Sequence, residues 1–417
     1  MILTEGPIGK SMISLMLPMM GGMIALLSYS IADTWFVGQI GTMELAAVSF
    51  TFPVSFIVGA MAMGLGIGTS SVASRLFGAD NLTEVQRITT HSLLLGTIFG
   101  LIITAAGLLT IEPVFLLLGA DENTLPLIER YISIYYWGGA FMVLPMIGSS
   151  VMRACGDAKT PAKIMTIAAV LNVVLDPILI FGWGPIPALG IEGAAIATVI
   201  SNIGTAITSF GFVYFRDRLI RFRSPDWHLI FDSWSRILHV GIPSMTSSLI
   251  APLTTAFITY QVAQFGQEAV AGFGVASRVE GLALLAIMAI SGASTPFVGQ
   301  NFGAGNYLRV RQGVSWGYRF SLTYGAIVAL ILFISADFIS GLFTDEPGAI
   351  RTAGMHMKLV PWSYGMLGIS AASVSAFNAI AKPLPGMVVS MTRTIAVYAP
   401  LAFLLAAMLG LQGVFIA

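Results

Sequence analysis

The sequence predicts an all-α integral membrane protein made of two six-helix bundles, related by a pseudo-twofold axis along the membrane normal. Composition is the first reason, because 56% of the 417 residues are hydrophobic and only 10% are charged, with a mean hydropathy of +0.87. Soluble domains carry about 25% charged residues. The second reason is that apolar segments of spanning length recur along the whole chain. The third is an internal repeat, in which landmarks of the first half return in the second.

Twelve membrane-spanning helices are predicted, because each span needs about 20 mostly apolar residues. The first apolar run begins near Ser11, is longer than the core of a signal peptide and lacks a small-residue cleavage pattern, so we take it as the first span. The twelfth has few residues before the sequence stops, and we expect it to be truncated. The predicted spans lie near 11–34, 45–74, 88–111, 125–152, 161–182, 189–214, 236–261, 268–298, 313–337, 349–379 and 384–408, and from 412 onward.

The connections between these spans alternate in charge. Lys and Arg collect on the side of the amino terminus, whereas the opposite side carries the acidic pairs Asp121-Glu122 and Asp345-Glu346. By the positive-inside rule the amino terminus and the basic connections are cytoplasmic, and we expect a multi-pass protein of the cell inner (plasma) membrane. The predicted units are an amino-terminal lobe at 1–214, a basic cytoplasmic linker at 215–235 and a carboxy-terminal lobe at 236–417, whose last helix is incomplete.

The internal repeat relates the two lobes. The segment from Phe77 to Asn81 returns from Phe302 to Asn306, an offset of 302 − 77 = 225 residues, which also relates Pro18 to Pro243. Each copy holds an even number of spans, so both have the same orientation, and a cavity between them would support alternating access. Later pairs are Asp121 with Asp345 at 345 − 121 = 224 and Gly190 with Gly410 at 410 − 190 = 220.

The fifth predicted span contains the polar sequence that carries most of the functional argument. Asn172 and Asp176 stand at i and i+4, so their oxygens lie on one face of a helix. Pro177 has no N–H to donate to the carbonyl of Val173, which leaves a backbone oxygen one turn below the carboxylate. Acids inside a membrane usually mark an ion or substrate pathway. The alternative is a structural, proline-kinked helix whose Asp is capped by a neighbouring Ser or Thr.

These features resemble the multidrug and toxic compound extrusion (MATE) transporters, and within them the DinF-like prokaryotic branch. The resemblance covers essentially the whole chain and rests on Glu5-Gly6-Pro7, Pro18, Asp33, the fifth span and the segment Val298 to Gly305. It implies two six-helix lobes and antiport of amphipathic, often cationic organic compounds against Na⁺ or H⁺. The cation site that it implies comprises Asp33, Asn172, Asp176 and Thr198, with a backbone contribution near Ala194.

Depth along the helices permits these residues to converge. Asp176 lies 176 − 161 = 15 residues above Pro161, roughly 22 Å at 1.5 Å per residue, and Asp33 is also in the outer half of its span. Two nearby anions repel, so we expect the pair to hold one proton or one Na⁺, with no other metal site. Pro18 and Pro177 weaken the backbone hydrogen bonding of their helices, and we expect them to be bending points.

Glu280 is the other acid placed well inside a predicted span, and Arg393 is a deeply placed cation. We favour a structural ion pair between them, which requires the eighth and eleventh spans to touch. A second coupling or substrate site in the carboxy-terminal lobe is the alternative. It is disfavoured because the position matching Asp33, 33 + 225 = 258, is Ile258.

The sequence therefore predicts a cation-coupled exporter rather than an enzyme, with no catalytic residues and no cofactor. The expected partners are small organic substrates and the lipid bilayer, not nucleic acid, and we expect a monomer. A flippase for lipid-linked precursors shares this architecture, but it would need a strongly basic cavity. A passive channel is the other alternative, although it would need no paired acids.

Overall fold

The computed structural model of the protein describes residues 2–221 and 226–417 and is all-helical over them. The helices form two bundles, the amino-terminal and carboxy-terminal lobes, as predicted. The amino-terminal lobe comprises α1 (Ile8–Ile40), α2 (Thr42–Gly78), α3 (Leu82–Leu117), α4 (Leu125–Trp137), α5 (Gly139–Ala154), α6 (Lys159–Phe181) and α7 (Ile191–Gly211), which continues as a π-helix at Phe212–Arg216.

The carboxy-terminal lobe repeats this order. A 3₁₀-helix at Val360–Ser363 joins α12 to α13, and a π-helix at Thr392–Tyr398 joins α14 to α15. Its helices are α8 (Trp227–Ala263), α9 (Gln267–Ala283), α10 (Leu285–Gly303), α11 (Tyr307–Phe343), α12 (Pro347–Leu359), α13 (Tyr364–Ala379), α14 (Pro383–Met391), α15 (Ala399–Leu409) and α16 (Leu411–Ile416).

Every predicted span corresponds to one helix or to helices joined end to end. Within the described residues, eight are long and apolar enough to cross a membrane, and two bent pairs meet the same criterion together. The spans predicted as single helices at 125–152 and 268–298 are the bent ones, with angles of 48° between α4 and α5 and 41° between α9 and α10. Hydropathy could not locate these breaks, because apolar residues continue across each of them.

Helix α8 begins earlier than the sequence predicted. The side chain of Asp226 accepts hydrogen bonds from the backbone N–H groups of His228 and Leu229, so it caps a helix that starts inside the range assigned to the linker. The polar residues after Trp227 extend the helix beyond its apolar part. Arg223 of the predicted basic linker lies outside the described residues.

The two lobes meet at the end of the molecule where α2 and α10 finish. A Cβ added to Gly78 would lie within 1.9 Å of the Gln300 carbonyl oxygen, and one added to Gly303 within 1.9 Å of the Arg75 carbonyl oxygen. These two contacts are related by the repeat, since 78 + 225 = 303 and 75 + 225 = 300. The helix ends therefore cross at the pseudo-twofold axis, at a distance that only glycine permits.

The segment before α1 fastens this closed end. Leu3 is fully buried, its N–H donates to Oε1 of Gln300 at 2.9 Å, and its carbonyl accepts from Nδ2 of Asn301 at 3.2 Å. The Arg309 guanidinium also donates to the carbonyls of Leu3, Glu5 and Gly6. The amino-terminal segment of one lobe is thus bound to the other lobe.

The helices that line the lobe interface carry exposed side chains towards the other end of the molecule. Helix α2 is buried on nearly all sides from Gly64 to Ser74, whereas Phe52 and Phe56 in its opposite half are exposed. Helix α8 likewise exposes Leu253 and Tyr260 near its far end. The lobes are therefore closed together at the end where the chain begins.

Candidate cation-binding site

The predicted site residues on α1 and α6 are brought together by direct packing of these two helices. Asp33 is 9% exposed, Asn172 is 1% exposed and Asp176 is fully buried. The i, i+4 spacing of Asn172 and Asp176 puts both on the buried face of α6, while Val174 between them is exposed.

Helix α7 brings Thr198 and Ala194 to the same place. Thr198 Oγ1 lies 3.4 Å from Nδ2 of Asn172, and Ala194 is fully buried one turn earlier on α7. The approach of the two helices depends on Gly193, where an added Cβ would lie 2.4 Å from the carbonyl oxygen of Leu179. The sequence-predicted set of five residues therefore lies on three helices in mutual contact.

Four oxygens of this cluster have no hydrogen-bond donor within the described part of the chain. Among the described residues, Oδ1 of Asp33, Oδ1 of Asn172 and both carboxylate oxygens of Asp176 are buried with no hydrogen-bond partner. Buried polar atoms are nearly always paired, and an unpaired one is costly. The structural alternative, in which a neighbouring Ser or Thr donates a hydrogen bond to Asp176, is therefore not observed. Several convergent oxygens suit a hard cation, and two adjacent carboxylates also suit a shared proton.

Two tyrosines near the acids were missed in the sequence. Asp33 and Asp176 lie close enough for their charges to interact, and the hydroxyls of Tyr29 on α1 and Tyr131 on α4 lie within electrostatic range of both. The spacing of Tyr29 and Asp33 at i and i+4 was available as a signal. Nothing in the sequence indicated that α4 would supply Tyr131.

The proline residues do not divide their helices. Pro18 lies within the continuous helix α1 and Pro177 within the continuous helix α6. Each removes one backbone donor from its helix. Their role as bending points stays a prediction, because a bend would be a change between two states.

The predicted ion pair between Glu280 and Arg393 is not formed. Oε2 of Glu280 lies 3.6 Å from Nε2 of His356, and Nη1 of Arg393 lies 3.5 Å from Oγ of Ser370. The reason is lateral helix order, because α9 packs against α12, whereas Arg393 follows directly on α14, which packs against α8 and α13. His356 is 4% exposed and its ring contacts those of Phe273 and Phe415. The buried acid on α9 of the carboxy-terminal lobe, Glu280, is therefore placed beside a buried histidine.

Comparison with known proteins identifies the family. A family model described as MatE matches residues 18–178 and 243–404, two segments whose starts are separated by 243 − 18 = 225 residues, the offset of the internal repeat. The FAD transporter of Shewanella oneidensis is 36% identical over 415 residues, which cover 100% of this chain and 92% of that protein. The multidrug export protein MepA of Staphylococcus aureus is 27% identical over 418 residues, covering 98% of this chain and 90% of that protein.

Solved structures agree with this assignment. The crystal structure of the Vibrio cholerae MATE transporter VcmN in the bent form matches with a TM-score of 0.92 and 32% identity, covering 98% of this chain and 92% of that one. An outward-facing multidrug resistance MATE family transporter matches with a TM-score of 0.91 and 27% identity, covering 99% and 92%. The chain thus belongs to the MATE family and is a multi-pass membrane transporter of small compounds, not an enzyme.

Proposed function

We propose that this protein exports organic compounds across the plasma membrane in exchange for Na⁺ or protons, acting as a monomer with its amino terminus in the cytoplasm. The observation that carries the proposal is the group of unpaired buried oxygens on Asp33, Asn172 and Asp176. Buried carboxylates need a counter-charge or a proton. Among the described residues no Lys or Arg forms an ion pair with Asp33 or Asp176, so a mobile cation is the natural ligand.

Coupling follows from the charge of the cluster. Two carboxylates in a low-dielectric environment repel, and binding one proton or one Na⁺ relieves that repulsion. Occupancy would then let α1 and α6 draw together. Because Pro18 and Pro177 each remove a backbone hydrogen bond, both helices can bend near the substrate-facing wall of the lobe. Cation and substrate would accordingly bind in alternation.

Alternating access is supported by the way the lobes meet. Their contacts at Gly78, Gly303 and Leu3 close the end where the chain begins, while the opposite halves of α2 and α8 are exposed. Opening that closed end while closing the other would move the site from one side of the membrane to the other.

The substrate class has two candidates, each with its own support. Organic cations are suggested by relatives named as multidrug exporters, such as MepA. A flavin nucleotide is suggested by the relative named as an FAD transporter, which at 36% identity matches this chain along its whole length. Organic cations carry positive charge and FAD carries a negatively charged diphosphate, so the two make different demands on the cavity.

The test is transport in proteoliposomes under separately imposed Na⁺ and proton gradients. A fluorescent organic cation and FAD would be the two probes, with protein-free liposomes as the background. We expect accumulation of one probe against its concentration gradient, driven by one of the two ion gradients. Flux that runs only downhill, independent of both ion gradients, would overturn the proposal and favour a passive channel.

A further inference from the structure

A groove runs along the outside of the amino-terminal lobe between α1 and α6, near the end where both helices begin. Its volume is about 430 Å³, and Pro18, Gly21, Ala162 and Thr166 are among the residues that line it. This volume is within the roughly 300–1,000 Å³ of ligand sites in proteins. The exposed side chain of Ile167 continues the groove into the apolar outer face of α6.

Two adjacent glycines produce the groove. A Cβ added to Gly22 would lie 3.4 Å from Cα of Ala162, so α1 and α6 make close contact there. A Cβ added to Gly21 would have no protein atom within 4 Å. Gly22 therefore sets the floor of the groove, and the absence of a side chain at Gly21 keeps it open.

Two lysines stand at the polar end of the groove. Lys159 and Lys163 line it, both are exposed, and their i, i+4 spacing puts them on one face of α6. Neither forms a hydrogen bond or an ion pair with the described part of the chain. Cationic side chains between the ends of neighbouring membrane helices are suited to binding an anionic lipid headgroup.

The matching positions of the carboxy-terminal lobe carry neither the glycine nor the two lysines. The position matching Gly21, 21 + 225 = 246, is Thr246, and the positions matching the lysines, 159 + 224 = 383 and 163 + 224 = 387, are Pro383 and Met387. Because the backbone fold is repeated, the groove and its charge depend on side chains that differ between the lobes.

We propose that this groove binds one anionic glycerophospholipid, with its phosphate between Lys159 and Lys163 and an acyl chain beside Gly21. The apolar walls match the chain and the two unpaired ammonium groups match the phosphate. An organic cation is disfavoured as the occupant, because both lysines would repel it. The bound lipid would bridge the two helices that carry Asp33 and Asp176.

Native mass spectrometry of the full chain in detergent tests the proposal, with phosphatidylglycerol and phosphatidylcholine as probes. Wild type should retain one phosphatidylglycerol in preference to phosphatidylcholine. Lys159→Gln and Lys163→Gln should each weaken that binding about fivefold, as expected for about 1 kcal/mol per lysine. Gly21→Leu should abolish it by filling the groove, at a position where an added Cβ meets no protein atom within 4 Å.

Matched controls come from outside the groove. Lys382→Gln removes an exposed lysine at the same end of the other lobe, and Gly341→Leu adds a side chain where no protein atom lies within 4 Å. Both should leave lipid retention unchanged. Equal retention of the two lipids, or unchanged retention in the Gly21→Leu protein, would overturn the proposal, as would displacement of the lipid by a fluorescent organic cation.

Discussion

The two lobes share a fold but differ at the positions that matter for cation binding. The residues of the carboxy-terminal lobe that match Asp33, Asn172 and Asp176 are Ile258 (33 + 225), Ala396 (172 + 224) and Pro400 (176 + 224). All three are apolar. Repetition of the backbone therefore does not require repetition of the polar cluster, and an unpaired acid in a membrane is too unfavourable to persist without a ligand.

The buried acids of the two lobes also have different surroundings. In the amino-terminal lobe two buried carboxylates lie within electrostatic range of each other and have unpaired oxygens, whereas in the carboxy-terminal lobe Glu280 lies 3.6 Å from the histidine on α12. The first arrangement leaves oxygens available to an exchangeable cation. The second gives its acid a protein partner, so under the proposed function it is the amino-terminal lobe that couples.

The largest effect that this comparison predicts is loss of coupling when either acid of the amino-terminal lobe is neutralised. We expect Asp33→Asn and Asp176→Asn each to reduce gradient-driven export to the level of protein-free liposomes. Each variant keeps only one of the two carboxylates and so lacks the paired negative charge that binds the coupling cation. Glu280→Gln is the matched control in the other lobe and should reduce the rate by less than about tenfold, one decade being about 1.4 kcal/mol.

Folding of each variant would be checked by size-exclusion profile and thermal midpoint. A well-folded Asp176→Asn protein that still concentrates substrate with unchanged ion dependence would show that coupling occurs elsewhere. Greater loss in the Glu280→Gln protein than in the Asp33→Asn protein would reverse the assignment of roles to the two lobes.

The sequence was sufficient where the relevant geometry is local. The spacing of Asn172 and Asp176 fixes their common face whatever surrounds the helix, and the repeat offset of 225 predicts the two-lobe fold. The Glu280 pairing failed because it depends on which helices are neighbours, which no single span encodes. The burial of Leu3 was also missed, because a short apolar segment before a span gives no sign of its docking site on the other lobe.

The second prediction concerns the crossing of α2 and α10, where both lobes make the same close contact between a glycine and a backbone carbonyl. Gly78→Ala and Gly303→Ala should each destabilise the closed end by about 1–3 kcal/mol, the usual range for overpacking, because each added methyl would meet a backbone carbonyl that cannot move aside. Thermal unfolding in detergent would measure this. Gly59→Ala is the control on α2, since its Cβ would meet nothing within 4 Å.

The internal repeat adds a second expectation to that measurement. If the crossing lies on the pseudo-twofold axis, the two substitutions should lower the thermal midpoint by similar amounts. A midpoint unchanged by both, or lowered equally by Gly59→Ala, would contradict the close approach of the two helices.

Of the two arginines that bridge the lobes beside this crossing, Arg236 is expected to have the smallest effect. Arg236 of α8 reaches Oε2 of Glu84 on α3 at 3.3 Å with about a third of its side chain exposed, whereas Arg309, at the position matching Glu84 (84 + 225 = 309), binds backbone carbonyls of the amino-terminal segment. Exposed ion pairs contribute roughly 0–1 kcal/mol, and hydrogen bonds from a charged group roughly 1.5–3 kcal/mol.

Hydrogen exchange of the amino-terminal peptide distinguishes these two bridges. The N–H of Leu3 donates to Gln300, so its exchange reports whether the segment stays docked. Arg309→Gln removes the donors that hold the neighbouring carbonyls and should accelerate that exchange, at low and high salt alike, because the lost bonds are short-range. Arg236→Gln should leave the peptide protected and should lower the thermal midpoint slightly, and only at low salt, because screening already weakens an exposed pair. Unchanged protection in the Arg309→Gln protein would mean that the burial of Leu3 and its hydrogen bonds with Gln300 and Asn301 hold the segment, and the polar contacts of Arg309 would then contribute nothing to closure.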